Sequence, residues 1–292
     1  MDIGFVGLGH MGKPIASRIL EAGHTLTVCD LRRERGRALE VDGARWVDGP
    51  REAAARVEVV LTSLPGPREV SAVVLGDAGV FAGLKPGSGF IDLSTNAPQT
   101  MREIAALGAE REIAVLDAPV SGGVFGAREG TLTVFAGGER PVFARFEPLL
   151  RCIGENIVHM GPNGSGCATK LVNNAMMFIN YLGAIEGMAL GAKAGIDQQL
   201  LLEVIKPSTG HSMILQRTMS LYAKGETMNS AIDLAVKDME LAVDLGRDLE
   251  VPLQLSPLVE DMIRRYCADG RRGQEDIIEL IGDFMRRSDV RG

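Results

Sequence analysis

The sequence predicts an α/β protein, with a doubly wound parallel sheet in its first half and an all-α domain in its second half. Short β-branched segments alternate with helical periods up to about residue 160, which is typical of βαβ units. From about Ser165 strand signals become rare and helical periods follow one another. We therefore expect domains at 1–162 and 163–292, and 292 residues are enough for two hydrophobic cores.

The composition is that of an ordinary soluble globular protein. The chain is 46% hydrophobic and 24% charged, and its formal net charge is -7. Because phosphate backbones bind basic surfaces, this balance argues against nucleic acid as a partner. The most basic local features are four arginine pairs, which we expect to be solvated surface. They are Arg32 and Arg33, Arg264 and Arg265, Arg271 and Arg272, and Arg286 and Arg287.

The cysteines and histidines do not form a metal-ligand pattern. Cys29, Cys152, Cys167 and Cys267 are widely spaced, as are the four histidines, and there is no CxxC motif. We therefore expect no metal and a reducing, cytoplasmic location. The first residues indicate a strand and a glycine turn rather than a signal peptide. No uncharged run reaches the roughly 18 residues of a membrane span, so no membrane partner is expected.

The N-terminal segment has the pattern strand, glycine turn, helix, strand and acid. Residues 2–6 are predicted as a buried strand, a helical period follows to Gly23, and a second strand ends before Asp30. Glycines allow a tight turn and let the backbone approach a pyrophosphate, while the helix start supplies free N–H groups. The pattern predicts a Rossmann-type dinucleotide-binding domain. The turn residues expected to bind the cofactor are Gly7, Leu8, Gly9, His10, Met11 and Gly12.

Asp30 bears on the choice between NAD and NADP. It lies where a carboxylate can accept both ribose hydroxyls of the adenosine, and its charge would repel a 2′-phosphate. This favours NAD as the cofactor. Arg32 and Arg33 leave NADP open because they could receive such a phosphate. Otherwise they form the exposed first turn of the next helix.

The rest of the first half continues the α/β alternation. In a parallel sheet, the residues just after the strands converge on one ligand crevice. Leu64, Pro65 and Thr95 are in that position, and we expect them to contact the cofactor. Thr95 could equally cap the helix that begins near Pro98. Strands are predicted at 57–64, 90–93, 113–116 and 132–135, and a helix at 141–150.

A second glycine turn also follows a predicted strand. Ser121, Gly122 and Gly123 offer a hydroxyl and exposed backbone N–H groups. Such a concave group of N–H donors suits a carboxylate, so we expect substrate binding there. A plain glycine turn is the alternative interpretation.

The second half is predicted to be helical. Residues 170–193 lack proline and are rich in Ala, Met, Leu and Ile, which indicates one long helix. Gly183, Gly187 and Gly191 recur at every fourth position and would permit close helix packing. Further helical patterns lie at 197–206, 212–223, 231–248, 256–268 and 274–287.

The segment 161–174, GPNGSGCATKLVNN, is the strongest candidate for chemistry. It begins as a glycine-rich loop and becomes helical, so that Lys170 and Asn174 lie one turn apart on one face. We expect Lys170 to transfer protons and Asn174 to hydrogen-bond a substrate. Asn173 points about 100° away on an ideal helix, which leaves a local structural role open. A free lysine titrates near about 10.4, so a lysine base needs burial or a second cation nearby.

Four motifs, in order and spacing, resemble the β-hydroxyacid dehydrogenase family, which includes 3-hydroxyisobutyrate dehydrogenase and tartronate semialdehyde reductase. Together they cover both halves of the chain. They are GFVGLGHMGKPIASRIL at 4–20, DAPVSGGVFGAREGTLTVFAGG at 117–138, GSGCATKLVNN at 164–174 and KDMELA at 237–242.

The resemblance implies hydride transfer between NAD(H) and a small β-hydroxyacid or its semialdehyde. It implies that Lys170 is the general acid/base and that the substrate carboxylate binds the turn at Ser121. It also implies that Lys237 lies close to the nicotinamide, where it could be the second cation. Assembly as a homodimer or homotetramer through the helical domain is implied as well.

One position departs from the family pattern. The family carries an aromatic residue seven positions before the lysine of KDMELA, where this chain has Ser230. A small polar residue there would open the pocket toward an acid larger or more polar than 3-hydroxyisobutyrate. Two other functions stay open: an imine reductase of the same architecture and a non-catalytic dinucleotide-binding sensor. Lys170 argues against both.

Overall fold

A computed structural model of the chain describes residues 1–267 and 273–289. The arginine pair at 271 and 272 and the end of the predicted helix 256–268 lie outside the described residues. The chain divides into two compact units, Met1–Lys170 and Leu171–Gly292. The boundary expected after residue 162 stays a prediction.

The first unit is built on one sheet, which has nine strands in the described part of the chain. Its order is β3-β2-β1-β4-β5-β6-β8-β7, and β9 pairs with β8. The strands are β1 (Asp2–Val6), β2 (Thr25–Cys29), β3 (Arg45–Trp46), β4 (Val59–Thr62), β5 (Gly89–Asp92), β6 (Ala114–Asp117), β7 (Val120–Ser121), β8 (Leu132–Gly137) and β9 (Gly154–Gly161).

Helices cover both faces of this sheet, so the doubly wound architecture is confirmed. Successive residues of β4 alternate between two hydrophobic clusters: Leu61 packs with Phe5 in one, and Val60 packs with Phe90 in the other. The helices are α1 (Gly12–Glu21), α2 (Arg37–Val41), α3 (Pro50–Ala54), α4 (Pro67–Leu75), α5 (Val80–Gly83), α6 (Pro98–Ala109), α7 (Gly123–Glu129) and α8 (Arg140–Leu150).

The sheet is parallel from β3 to β6 and becomes mixed beyond it. β8 runs antiparallel to β6 and β7, whereas β9 is parallel to β8. The predicted parallel arrangement is confirmed for the strands from β3 to β6. The chain reverses because the segment after β6 returns along the edge of β8, where the Phe135 N–H donates to the Pro119 carbonyl at 3.0 Å. The sequence pattern missed β3, β7 and β9, and β9 is an edge strand with mostly exposed or half-buried side chains.

The second unit is all-α across its described residues, as predicted. α9 (Ser165–Lys193) begins in the first unit and supplies core residues to the second, including Phe178 and Tyr181. The helices that follow are α10 (Gln198–Ile205), α11 (Met213–Lys224), α12 (Ile232–Asp248), α13 (Leu255–Tyr266) and α14 (Glu279–Arg287).

α9 is long, with 29 residues, and apolar in composition. Within the described residues it is the one helix whose length and composition would suffice to cross a membrane. Long core helices of soluble proteins meet the same criterion, so this is weak evidence for a membrane span. Of the spaced glycines, Gly191 lies against the side chain of Leu201, whereas a Cβ built on Gly183 or Gly187 would meet nothing within 4 Å.

Candidate active site

The glycine turn between β1 and α1 has the backbone geometry of a dinucleotide site. Gly7 has φ +97°, and a side chain on Gly12 would collide with the Gly7 carbonyl. A Cβ on Gly9 would enter open space, which leaves room for a ligand to approach the backbone. The N-cap residue of α1 is Met11, whose side chain makes no capping hydrogen bond to the helix. The first turn of α1 also carries no acidic residue that would repel a phosphate. These features fit the pyrophosphate of a dinucleotide.

Asp30 is tied to this turn. Its Oδ2 accepts the Leu8 N–H at 2.6 Å and its Oδ1 accepts the Arg32 N–H at 2.8 Å. Arg35, which the sequence pattern did not single out, lies with Nη1 3.3 Å from Oδ2. The carboxylate is thereby oriented at the end of β2, and its remaining lone pairs can accept ribose hydroxyls.

The two arginines that left NADP open differ in their surroundings. Arg33 donates to both carboxylate oxygens of Glu40, at 2.6 and 2.8 Å, and lies over the Trp46 ring at 4.6 Å. Receiving a 2′-phosphate would require Arg33 to leave these partners. Arg32 is exposed and follows Asp30 more closely, so it is the better placed of the pair.

A buried carboxylate links the two predicted cofactor loops after β4 and β5. Asp92 accepts hydrogen bonds from Thr62 Oγ1, at 2.8 Å, and from Asn96 Nδ2, at 2.9 Å. It also accepts the Ser94 N–H at 3.1 Å, while Ser94 Oγ accepts the Leu64 N–H at 2.9 Å. Burial raises the pKa of the Asp92 carboxyl, and these hydrogen bonds partly oppose that rise. The structure therefore joins the segment at Leu64 and Pro65 to the one that contains Thr95.

Thr95 does not cap the following helix. α6 begins at Pro98, and its N-cap residue is Ala97, which is still extended with ψ 136°. The Ala97 N–H donates to Asn96 Oδ1 at 2.8 Å, and Pro98 stands at the first helical position, which proline favours. The capping interpretation of Thr95 was wrong, whereas its cofactor role stays a prediction.

The turn at Ser121 bends sharply at two successive glycines. Gly122 and Gly123 have φ +132° and +66°, values that an L side chain rarely adopts. Ser121 ends β7 opposite Thr133, and α7 follows directly. The geometry accounts for the glycines and leaves the predicted carboxylate site as a prediction.

Lys170 lies near the start of α9, whose first turn is attached to the sheet. Asp117, at the carboxyl end of β6, accepts the Gly164 N–H with Oδ1 at 2.7 Å and the Cys167 N–H with Oδ2 at 2.9 Å. Burial raises the pKa of the Asp117 carboxyl, and the two N–H donors oppose that rise. The sequence pattern missed this role, because nothing local links residue 117 to residues 164–167.

In the second unit, α9 and α12 bring Asn174 and Lys237 to one carboxylate. Asn174 Nδ2 donates to Asp238 Oδ2 at 2.6 Å, and Lys237 Nζ lies 2.8 Å from Asp238 Oδ1. Asn173 Nδ2 donates to Asn174 Oδ1 at 3.0 Å, so Asn173 supports its neighbour's side chain. Asp238 is a further residue that sequence reasoning missed, although it stands inside the KDMELA motif.

Ser230 lines a small apolar cavity in the second unit. The cavity is about 30 Å³, room for about one water molecule. Its other lining residues are Met177, Phe178, Tyr181, Ile214, Met228 and Ile277. Phe178 and Tyr181 follow Asn174 on α9 at i+4 and i+7, the same helical stripe. Asp276 holds the Ser230 segment by accepting the N–H groups of Met228 and Ser230, each at 3.0 Å.

No group of three potential His, Cys, Asp or Glu metal ligands occurs in the part of the chain that the structure describes. The glycine turn and the oriented Asp30 define a dinucleotide-binding protein of the Rossmann type, which continues into a helical second unit. The family described as the NAD binding domain of 6-phosphogluconate dehydrogenase matches residues 2–161. The family described as the NAD-binding domain of NADP-dependent 3-hydroxyisobutyrate dehydrogenase matches residues 164–282.

Named relatives agree with both matches. The chain is 42% identical to 3-hydroxyisobutyrate dehydrogenase of Pseudomonas aeruginosa, over 91% of this chain and 92% of that protein. It is 35% identical to 2-(hydroxymethyl)glutarate dehydrogenase of Eubacterium barkeri, over 96% and 94%. The crystal structure of 3-hydroxyisobutyrate dehydrogenase from Salmonella typhimurium superposes with a TM-score of 0.87 at 31% identity, covering 97% of this chain and 99% of that one.

The chain belongs to the β-hydroxyacid dehydrogenase family. It is an NAD(P)-dependent hydroxyacid dehydrogenase, as the motifs predicted. The family membership confirms the fold class and the NAD(P) cofactor. The individual site residues stay predictions.

Proposed function

We propose that the enzyme interconverts a small β-hydroxyacid and its semialdehyde, with Lys170 as general acid/base. The observation that carries this proposal is the organisation of α9. Its first turn is attached to the sheet by Asp117, Lys170 follows within one turn, and Asn174 is oriented by Asp238. α9 thus carries a proton-transfer group and a hydrogen-bonding group four residues apart in the sequence.

The residues divide the chemistry between them. Bound NAD(P) accepts or supplies the hydride. In oxidation Lys170 accepts the proton of the substrate hydroxyl, and in reduction protonated Lys170 donates it to the forming alkoxide. Ser121, Gly122 and Gly123 bind the substrate carboxylate through a hydroxyl and backbone N–H groups. Asn174 keeps one amide N–H for the substrate, because its other donor is taken by Asp238.

We assign the parts of the cofactor to the following residues. We assign the pyrophosphate to the turn formed by Gly7, Leu8, Gly9, His10, Met11 and Gly12. Asp30 holds the adenosine ribose, and the segments with Leu64, Pro65 and Thr95 line the nicotinamide side. Lys237 is a further residue that we assign to cofactor binding, on the family resemblance. NAD is preferred over NADP, because the Asp30 carboxylate would face a 2′-phosphate.

The substrate class follows from the Ser230 position. The relatives named above are dehydrogenases of two different acids, 3-hydroxyisobutyrate and 2-(hydroxymethyl)glutarate. A cavity of about 30 Å³ with mainly apolar lining stands where the family's aromatic residue would be. We propose that this enzyme accepts a β-hydroxyacid with a larger apolar substituent than 3-hydroxyisobutyrate.

A panel of 3-hydroxyacids and short semialdehydes, assayed with NAD and NADP in parallel by absorbance of the reduced cofactor, tests this function. We expect turnover of several 3-hydroxyacids, a higher kcat/KM with NAD, and a preference for branched or longer acids. Exclusive use of 3-hydroxyisobutyrate would contradict the substrate class. Cofactor binding without turnover of any acid would favour a sensor, and turnover of cyclic imines alone would favour an imine reductase.

We also propose that the chain forms a homodimer or homotetramer through α9. Val172, Met176 and Leu190 are exposed on this helix, and the space beside Gly183 and Gly187 is open. Light scattering after size exclusion tests this, and a monomer at micromolar concentration would contradict it. A cytoplasmic location, with neither nucleic acid nor membrane as partner, is part of the same proposal.

A further inference from the structure

The first turn of α9 is held by a side chain from a distant strand. We propose that Asp117 is the positioning residue that sets the place of Lys170. It holds the N-terminus of α9 on the carboxyl end of β6. The inference rests on the proposed function, in which Lys170 transfers the proton.

Asp117 satisfies backbone donors that no residue of the helix itself could satisfy. The first four N–H groups of an α-helix lack partners within the helix. Asp117 accepts the N–H of Gly164, immediately before the helix, and that of Cys167, in its first turn, at 2.7 and 2.9 Å. The carboxylate is 0% exposed, so water does not compete for these donors. A negative charge there is also favoured by the helix dipole.

Small residues allow the helix to come this close to the strand ends. A Cβ on Gly137 would lie 2.7 Å from Asp117 Oδ1 and 2.8 Å from the Gly166 nitrogen. A Cβ on Gly166 would collide with the Phe135 carbonyl and lie 2.6 Å from the Asp117 carbonyl oxygen. Any side chain at either position would therefore lift the first turn of α9 off the sheet.

The loop before the helix is fixed at two further points. Asn163 Nδ2 donates to the Val115 carbonyl at 3.0 Å, and the Gly138 N–H donates to the Gly161 carbonyl at 2.9 Å. These bonds orient residues 161–163 but do not reach the helix itself. The Ser165 N–H donates to the Pro162 carbonyl at 3.0 Å within the chain itself, whereas the Asp117 side chain ties Gly164 and Cys167 to the end of β6.

Lys170 is close enough to this attachment to depend on it. It follows Cys167 by three residues, a rise of about 4.5 Å along an α-helix. Cys167 is 0% exposed, so both its backbone and its side chain are fixed. If the first turn of α9 is displaced, Lys170 therefore moves with it by nearly the same distance. Misplacing a catalytic group by about 1 Å can cost about 100-fold in rate.

A carboxylate suits this position better than its neutral isostere. Two N–H groups approach the two oxygens of Asp117 separately. Asparagine would keep one acceptor and turn an NH₂ donor toward the second N–H, so one backbone donor would lose its partner. Burial raises the pKa of the Asp117 carboxyl, and protonation would likewise place a donor in the site.

The test compares Asp117→Asn with Asp92→Asn. Asp92 is the register partner of Asp117 in the neighbouring strand and is equally buried. Its hydrogen bonds come instead from Thr62, Ser94 and Asn96. We expect Asp117→Asn to lower kcat about 10- to 100-fold, with substrate KM and NADH affinity within about twofold. We expect Asp92→Asn to weaken NADH binding instead. The same kinetic pattern in both variants would overturn the inference.

A double-mutant cycle with Lys170→Ala separates positioning from general damage. If Asp117 acts through Lys170, then adding Asp117→Asn to Lys170→Ala lowers kcat by less than about twofold, because the interacting effects are not additive. Independent, multiplicative losses would overturn the inference. Full activity of Lys170→Ala alone would instead contradict the proposed function, whatever Asp117→Asn does.

Gly166→Ala covers the case in which Asp117→Asn does not fold. It leaves the carboxylate intact and displaces the first turn of α9 through the Phe135 carbonyl. We expect the folded variant to lose kcat to a similar extent as Asp117→Asn. Wild-type kcat in folded Gly166→Ala would overturn the inference.

Discussion

Replacing Asp238 by asparagine tests the hydrogen-bond network of the helical unit. The change keeps the shape of the side chain and removes its charge. Asp238 is 13% exposed at its side chain, accepts Asn174 Nδ2 at 2.6 Å and lies 2.8 Å from Lys237 Nζ. Asparagine can still accept one hydrogen bond from Asn174 but no longer pairs with the Lys237 ammonium.

The expected decrease in kcat/KM follows from replacing a charged hydrogen-bond acceptor by a neutral one. Such a bond contributes about 1.5–3 kcal/mol, and a neutral one about 0.5–1.5 kcal/mol. The difference of about 1–2 kcal/mol corresponds to about a 5- to 30-fold decrease in kcat/KM for the hydroxyacid. Steady-state rates of NADH formation at saturating NAD measure it.

Asp244→Asn is the matched control, because Asp244 lies on the same helix and pairs with Arg247 at 2.6 Å in an exposed ion pair. Exposed pairs contribute about 0–1 kcal/mol, so kcat/KM should change less than about twofold. Equal effects of Asp238→Asn and Asp244→Asn would refute the claim that the half-buried Asp238 carboxylate orients Asn174.

Three further predictions concern other parts of the chain. Gly9→Ala should leave the melting temperature of the unliganded protein unchanged, because the new methyl group enters open space. The methyl group should collide with the bound cofactor and weaken its binding free energy by about 1–3 kcal/mol, which raises the KM for NAD about 5- to 150-fold. An unchanged KM would place the pyrophosphate elsewhere. Ser230→Phe should fill the apolar cavity and lower kcat/KM for longer acids at least about tenfold relative to 3-hydroxyisobutyrate. A uniform change of kcat/KM across the panel of 3-hydroxyacids would contradict a role of Ser230 in substrate choice. Iodoacetamide at pH 8 should label half-buried Cys152 before Cys167, because burial raises the pKa of the Cys167 thiol well above its usual value. Mass spectrometry measures the order of labelling. Labelling of Cys167 first would show that the start of α9 opens readily.

The cofactor turn was predictable because its determinants are local. Strand, glycines, helix and Asp30 follow one another within thirty residues, and each has a direct backbone reason. The long helix was predictable because residues 170–193 contain no proline and keep an apolar helical period. The structure adds that α9 begins at Ser165.

The roles of buried Asp117 and half-buried Asp238 were not predictable, because their partners come from distant parts of the chain. Asp117 meets Gly164 and Cys167, and Asp238 meets Asn174, only after the sheet and the helices have formed. For Asp117, an aspartate at the end of a buried strand was the available signal. β9 was missed for a different reason: as an edge strand with few buried side chains, it shows little apolar pattern.

The turnover of Lys170→Ala tests the central claim most directly. The control is Lys193→Ala, which removes an exposed lysine at the other end of the same helix. Loss of a general acid/base should lower kcat for hydroxyacid oxidation about 10²- to 10⁴-fold, while NADH affinity measured by fluorescence stays within about twofold and Lys193→Ala keeps wild-type kcat. A Lys170→Ala enzyme that retains more than about a tenth of wild-type kcat would contradict the assignment of Lys170.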